Sequence, residues 1–246
     1  MPNYVIIGAT SVIAHETAKS LTQAGSNFFL VGRNNQKLAA VRDDLLARGA
    51  ARVENCLVDP SDCSRHAEII GAALRALNQW DAVLIAQGSL VDQHAGERDV
   101  QLLIEAFRVN TLSVLSLASL AANQLEAQRQ GCLAVIASVA GDRGRRSNYI
   151  YGSSKAAVDI FLQGLRCRFS GTAVRILTIK LGFVKTPQLP AALMRHPLAA
   201  HPRGVGRAIA RAMQSRDGVV YVPSYWRPIM WVVKVLPNAL FNRLKL

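Results

Sequence analysis

This sequence is short of cysteine, of aromatic residues and of acid, and each shortage excludes something. Its four cysteines, Cys56, Cys63, Cys132 and Cys167, show neither a CxxC pair nor the regular spacing of a disulfide framework or zinc site. Reduced, mostly buried thiols are expected, and no metal. Aromatic residues are 6% of the chain and do not interleave with its bases in a stripe. With no recognised motif beside them, nucleic acid is set aside as a partner. Acidic residues number 16 against 29 basic ones, a formal charge of +13 that draws phosphates or an acidic membrane leaflet to the surface. Long apolar runs are missing too. Thr111 to Leu125, the longest stretch without charge or glycine, falls short of the roughly 20 residues that span a bilayer and reads as a buried or interface helix. The opening MPNYVIIGAT lacks a basic region and a long apolar one, so no export is indicated and a cytoplasmic location is expected.

What the chain does have is regular alternation. Half of its 246 residues are apolar, enough for a substantial core within one domain. Short apolar runs with strand character recur at 4–7, 28–31, 52–58, 82–86, 133–138, 174–179 and 219–222. Between most of them lie helix-length segments such as ETAKSLTQA and KLAAVRDDLLA, with apolar residues three to four apart. Parallel strands joined by right-handed crossovers follow: an α/β, Rossmann-type, doubly wound sheet of about seven strands over residues 1–223. The proline-rich stretch 186–203 lies beyond the sixth strand's carboxyl end, where such sheets bind ligands; it reads as a lid or as a surface helix-loop. Residues 224–246 form an apolar and basic helical extension.

The first strand runs into GATSVIA, residues 8 to 14. Gly8, Thr10, Ser11, Val12 and Ile13 make a candidate pyrophosphate site, because unpaired N–H groups and the dipole of a helix beginning near Val12 both favour an anion. Only Gly8 stands at a glycine position of the usual fingerprint. Val12 and Ala14 occupy the other two, so Val12 has to point away from the phosphates. Arg33 ends the second strand, where an acidic residue often holds a ribose 2′-hydroxyl. A guanidinium there suits a 2′-phosphate, which favours NADPH and leaves NADH possible; the alternative is a solvated arginine. Asp59, after strand three, is placed to accept from an adenine amino group or to cap the helix after Pro60.

The segment RGRRSNYIYGSSK, residues 143 to 155, carries the chemistry. On a helix Tyr151 and Lys155 are four apart and share a face, whereas Tyr149 points elsewhere. A tyrosine is a poor acid or base at neutral pH, and an adjacent ammonium brings its pKa towards the working range. Arg143, Arg145 and Arg146 lie on the same loop, close to where a substrate sits, so one or two are candidates to grip a substrate phosphate. Tyr149 is a pocket or packing residue.

Ser138 ends strand five, 13 residues before Tyr151, and Asn110 opens the long apolar helix after AFRV. With GATSVIA, the IAQG turn at 85–88 and TIKLGFVKT, these resemble the short-chain dehydrogenase/reductase family in order, spacing and context over residues 3–222. The resemblance implies Tyr151 as proton donor to a carbonyl and Ser138 as the donor that polarises and places it. It implies that Lys155 lowers the pKa of Tyr151 and holds the nicotinamide ribose, which puts both against the cofactor. It further implies that Asn110 anchors a water linking Lys155 to solvent, that Val184 and Thr186 lie at the nicotinamide amide, and that Gly88 lies beside the adenosine ribose. A homodimer or homotetramer through the helices that begin near Asn110 and Ser147 is implied as well. The chain departs from the family at Val12, at Ile85-Ala86-Gln87-Gly88 for Asn-Asn-Ala-Gly, and at Leu181-Gly182 for Pro-Gly.

Within the family, SVAGDRGRRSNYIYGSSKAAVD, TPQLPAALMRHPL and YWRPIMWVVKVLPNALFNRLKL look like the branch that reduces a 2-keto-ribose carried on a polyprenyl phosphate to the arabinose. That likeness implies a separate flavin-dependent oxidase as the supplier of the keto-sugar. Another carbonyl, such as an acyl group or a diffusible ketone, is the alternative substrate, and a non-catalytic nucleotide-binding scaffold a further reading. In the extension, two short helices opened by Pro228 and Pro237 are expected, the second setting Leu240, Phe241 and Leu244 against Asn242, Arg243 and Lys245. Too short to span, they are suited to lie in an anionic membrane interface, peripheral on the inner face of the plasma membrane, with Trp226 and Trp231 at headgroup level. The alternative is a hairpin packed on the substrate pocket or on a second subunit.

Overall fold

The computed structural model describes residues 1–243 and has seven strands, β1 (Asn3–Ile7), β2 (Asn27–Gly32), β3 (Arg52–Leu57), β4 (Ala82–Ile85), β5 (Gly131–Ser138), β6 (Val174–Leu181) and β7 (Gly218–Val222). All pair in parallel, in the order β3-β2-β1-β4-β5-β6-β7. The expected doubly wound sheet is therefore present, with its topological switch between β1 and β4, where open α/β sheets bind ligands. The crossovers are the helices α1 (Val12–Leu21), α2 (Asn35–Ala47), α3 (His66–Leu77), α4 (Gln93–Arg98), α5 (Val100–Phe107), α6 (Ser113–Gln128), α7 (Tyr149–Arg168) and α8 (Pro202–Ser215); α9 (Trp226–Val235) and α10 (Asn238–Phe241) follow β7.

Strand residues alternate between two cores. Tyr4, Ile6, Phe28 and Leu30 face α1, α2 and α8, while Val5, Ile7, Phe29 and Val31 face α3, α6 and α7. Each fully buried side chain of this size contributes about 1.5–3 kcal/mol. Sheet centre and helix inner faces are thereby the rigid base on which the strand ends are displayed. Of the cysteines only Cys132 is buried; Cys56 is half-buried, and Cys63 and Cys167 are exposed, which corrects the expectation of mostly buried thiols. Among the described residues Val100–Gln128 is the one helix long and apolar enough, by length and composition, to cross a membrane. Its Val114, Leu117, Ala118, Ala121 and Leu125 are spent on the second core. A single π turn, Arg108–Leu112, interrupts it, so Asn110 sits inside this helix rather than opening it.

Beneath the end of β5, Lys180 of β6 is ion-paired with Asp142 and, at 2.8 Å, with Asp159 of α7. The Tyr221 hydroxyl of β7 donates to Asp142 at 2.7 Å. Burial alone would lower the Lys180 pKa, but its two carboxylate partners raise it. The cluster ties four elements together next to the turn that follows Ser138. Replacing Lys180 with Met leaves two buried carboxylates without their cation, so a loss of roughly 3–5 kcal/mol is expected in denaturant unfolding at pH 7. A loss under 1 kcal/mol would show that the carboxylates are solvated by another route.

The stretch 186–203 contains one short 3-10 turn, Ala191–Leu193, and its base is closed by a bridge between Val184 and Ala200. The extension turns its Trp226 and Met230 inward, against Val139, Phe183 and Leu198. Its second helix starts after Pro237 as expected; α9 starts two residues before Pro228. Leu244 and Lys245 lie outside the described residues.

Candidate active site

The nucleotide end is built from the first βα turn. Gly8 adopts a φ of +79°, and a β-carbon there would stand 2.8 Å from the Gln87 backbone nitrogen, so both conformation and space demand glycine. Ser11 precedes α1 in extended conformation and its hydroxyl makes no capping bond, leaving that side chain and the first N–H groups of α1 free for an anion. Val12 is 38% exposed, turned outward as the missing glycine requires. This cradle fits a pyrophosphate. Thr10 and Ile13 stand in the same turn, and the methyl of Thr10 lies over Gly32. Arg33 is largely exposed, with Nη1 3.4 Å from Asp59. Asp59 is itself engaged by the Ser61 N–H and hydroxyl at 2.9 and 2.8 Å, which, with Arg33, lower its pKa despite the opposing effect of burial. Its bonds to Ser61 are those of an acid capping the turn after Pro60.

The chemical end gathers around Gly88. A β-carbon at Gly88 would come within 3.0 Å of Asn110 Oδ1 and 3.2 Å of Lys155 Nζ. Asn110 is fully buried, and its amide both accepts from Ser89 N–H and donates to Ser89 C=O, each at 2.9 Å. It is thus a two-pronged clamp on the Gly88–Ser89 turn. Such π turns recur at functional sites because they re-aim a helical residue. Thr111 on the same turn donates to the Ser154 carbonyl at 3.0 Å, locking the clamp to α7.

Ser138 stands against the Tyr151 phenol, and Lys155 Nζ lies 5.9 Å from the Tyr151 ring centre and 3.3 Å from the Ile136 carbonyl. Burial pushes the Tyr151 pKa up, and only Ser138 opposes it. The Lys155 pKa is itself lowered to about 8 by burial. Burial and the Ser138 hydroxyl, rather than Lys155, set the direction for Tyr151 in this arrangement. The phenol keeps its proton at neutral pH, the state a proton donor needs.

The spacing between Ser138 and Tyr151 is set by small residues that the sequence reading passed over. A β-carbon on Gly141 would lie 2.9 Å from Ala156 N, and one on Gly152 2.8 Å from the Ala140 carbonyl, so the turn after Ser138 rests directly on α7. Gln93 of α4 accepts the Ile150 N–H at 3.1 Å, supplying the first turn of α7 with a partner that Asn148 does not provide. Tyr149 is exposed and turns towards Glu97 and Gln93, so it belongs to this contact with α4.

The three arginines separate. Arg143 donates through Nη1 to the carbonyls of Val233 and Leu236, the second at 2.6 Å, and through Nη2 to Asn238 Oδ1 at 2.8 Å. Its guanidinium lies 3.8 Å over the Phe241 ring. Far from being free for a phosphate, it clasps the end of α9. Arg145 is half-buried; its Nε has no partner among the described residues, and burial lowers its pKa. Arg146 is exposed.

Over the site lies the stretch after β6. Val184 is buried at its base and Thr186 donates its N–H to the Val184 carbonyl at 2.8 Å. Gln188 Nε2 donates across to the Gly88 carbonyl at 3.4 Å. The Trp226 indole packs on Gly182, where a β-carbon would be 1.8 Å from Nε1, and makes an edge contact with Phe183 at 5.1 Å. Tyr225 donates to the Leu198 carbonyl at 2.9 Å. Trp226, expected at headgroup level, is instead buried against Val139 and Met230, because its partners lie far along the chain; Gln188 was not identifiable from local pattern.

The short chain dehydrogenase family profile matches residues 3–193. An uncharacterized oxidoreductase of Mycobacterium tuberculosis is 32% identical over 240 residues, 98% of this chain and 96% of its own. One from Streptomyces coelicolor is 34% identical over 244 residues, 98% and 94% respectively. Among solved structures, an alcohol dehydrogenase from the archaeon Thermococcus sibiricus, complexed with 5-hydroxy-NADP, superposes with a TM-score of 0.79 at 20% identity, covering 90% of this chain and 95% of that one.

Proposed function

The chain belongs to the short-chain dehydrogenase family and is an NAD(P)-dependent oxidoreductase, and from that premise we propose that it reduces a keto-sugar carried on a polyprenyl phosphate. What supports the reading in the sequence is the resemblance of residues 138–159, 186–198 and the C-terminal extension to decaprenylphosphoryl-2-keto-ribose reductase, which makes the arabinose from the 2-keto sugar. The observation that carries the reading is Arg145, a half-buried guanidinium without an acidic partner among the described residues, on the loop joining Ser138 to Tyr151. A buried cation left unpaired is costly, and a phosphate monoester or diester on the substrate offsets that cost.

When bound, the nicotinamide supplies the hydride. Ser138 directs its hydroxyl at the carbonyl oxygen, and Tyr151 passes its phenolic proton to that oxygen as it becomes an alkoxide. Asn110 holds the Gly88–Ser89 turn so that Lys155 stays beside both. Arg33 at the end of β2 favours NADPH over NADH. Thr186 and Val184 bound the nicotinamide end, and the Gln188 reach to Gly88 keeps water out. In this reading a flavin-dependent oxidase supplies the ketone, the reaction runs at the cytoplasmic face of the membrane, and two or four copies associate through α6 and the part of α7 turned away from β7.

The test is oxidation of NADPH, and of NADH in parallel, with an oxidase-generated polyprenyl-phosphate keto-sugar. We expect Arg145→Gln to raise KM for the phospho-lipid at least tenfold, with little change for a diffusible ketone. An unchanged KM returns Arg145 to a structural role. Clear turnover of a simple ketone with none of the lipid-linked sugar establishes the other substrate class.

A further inference from the structure

A second concavity, of about 890 Å³, lies between α7, the β7 edge and α9, away from the Ser138–Tyr151 pair. Its floor is the buried cluster of Asp142, Asp159 and Lys180. Its rim is apolar and open to solvent: Ile160 is 66%, Val219 41% and Trp231 64% exposed. Three bases complete the lining, Arg166, Arg227 and Lys234. Among the described residues none of the three forms an ion pair; Arg166 only donates to the Thr178 hydroxyl, at 2.6 Å.

The apolar rim continues out of the groove. Val232 and Val235 on the outer face of α9 are 48% and 59% exposed, and Leu240 beyond them 52%. The inner face of the same helix, Trp226 and Met230, is sealed at 4% and 2%. α9 is therefore two-sided, and its outer side leaves aromatic and aliphatic groups in water beside unpaired cations, an arrangement that calls for an occupant. A second copy packed here about a twofold axis would bring the same three bases against one another. A bilayer with anionic headgroups meets them with the opposite charge and offers Trp231 the interfacial depth that tryptophan prefers.

We propose that this groove seats the headgroup of an anionic membrane phospholipid, with Arg227, Lys234 and Arg166 on its phosphate and Trp231, Val232 and Val235 among the upper acyl carbons. Asp159 lines the floor of the same groove, but its Oδ2 is held by Lys180 at 2.8 Å and its Oδ1 is buried, so the headgroup is held by the bases of the rim. The docking is independent of which carbonyl the active site reduces. It turns α9 from a loose anchor into a helix held by its inner face to the enzyme and by its outer face to lipid.

The full chain is mixed with vesicles of phosphatidylglycerol and, separately, of phosphatidylcholine, and both co-sedimentation and tryptophan emission are read. Trp80 and Trp226 are buried, so Trp231 dominates any shift. Expected are binding and a blue shift with phosphatidylglycerol only, weakening with salt. Arg227→Gln with Lys234→Gln should weaken binding roughly thirtyfold, about fivefold for each base removed near an anionic surface. Trp231→Phe should abolish the blue shift while leaving turnover of a diffusible carbonyl unchanged. Equal partition onto both vesicle types, or wild-type binding by the double variant, overturns the proposal. So does a Trp231 shift that follows protein concentration without vesicles, which would make the occupant a second copy.

Discussion

Replacing Tyr151 by Phe yields a folded protein that binds NADPH as the wild type does and turns over at least a hundredfold more slowly. Removal of a positioned general acid costs about 10²–10⁴ in rate, and the Tyr151 phenol is placed to give a proton beside Ser138. The ring stays, so packing along α7 is unchanged and only the hydroxyl is lost. Binding is read by quenching of NADPH fluorescence, turnover by its oxidation. A nucleotide-binding scaffold without catalysis would behave identically before and after the change, and that result would remove the reductase reading.

Lys155→Met is expected to abolish turnover and to make the cofactor-free protein more stable. The lysine is 3% exposed, with one long hydrogen bond to the Ile136 carbonyl, and burial lowers its pKa to about 8 from an ordinary 10.5. Between those two values the unfolded chain holds a proton that the folded chain has shed, so wild-type stability rises with pH across that window. Below pH 8 both states are protonated and the fold bears the full cost of an under-solvated ammonium, on the order of 3 kcal/mol. Methionine fills the space without that cost. The variant should therefore melt several degrees higher at pH 7, at about 2–4 °C per kcal/mol for a chain of this size, and it should lack the contribution by which Lys155 raises wild-type stability between pH 8 and 10.5. A melting temperature that falls, or a slope equal to the wild type's, would mean that the ammonium is paired more strongly than its 3.3 Å contact suggests. The penalty is the mark of a site assembled for a ligand rather than for the empty fold.

The strands and the shared face of Tyr151 and Lys155 were legible because both rest on short-range geometry. A run such as Tyr4-Val5-Ile6-Ile7 declares a buried parallel strand by composition, and Tyr151 with Lys155 declares a shared helical face by spacing alone. What could not be read depends on contacts across the fold. Arg143 looks like its neighbours in RGRRS, and only its meeting with Val233, Leu236 and Asn238, some ninety residues on, decides that it holds protein rather than phosphate. Asn110 was found but misplaced, since a π turn inserts one residue into a helix without disturbing the apolar pattern on either side. Cys63 and Cys167 followed the general habit of free thiols to be buried and proved exposed, because a type preference carries no positional information. Likewise Gly182 reads as an ordinary strand-end glycine until Trp226 lies on it.

The Arg143 clasp has a consequence for how freely this protein can change. Two of its three acceptors are main-chain carbonyls, which every amino acid offers alike, and the third is Asn238 beyond the helix. The grip is thus indifferent to the identity of the side chains at Val233 and Leu236, and wholly so to the outward ones at Trp231, Val232 and Val235. Mutation can rewrite the outer surface of the last helices while the loop between Ser138 and Tyr151 keeps its hold. The outward face of the last helices and the Ser138–Tyr151 loop are joined mechanically yet open to separate inheritance.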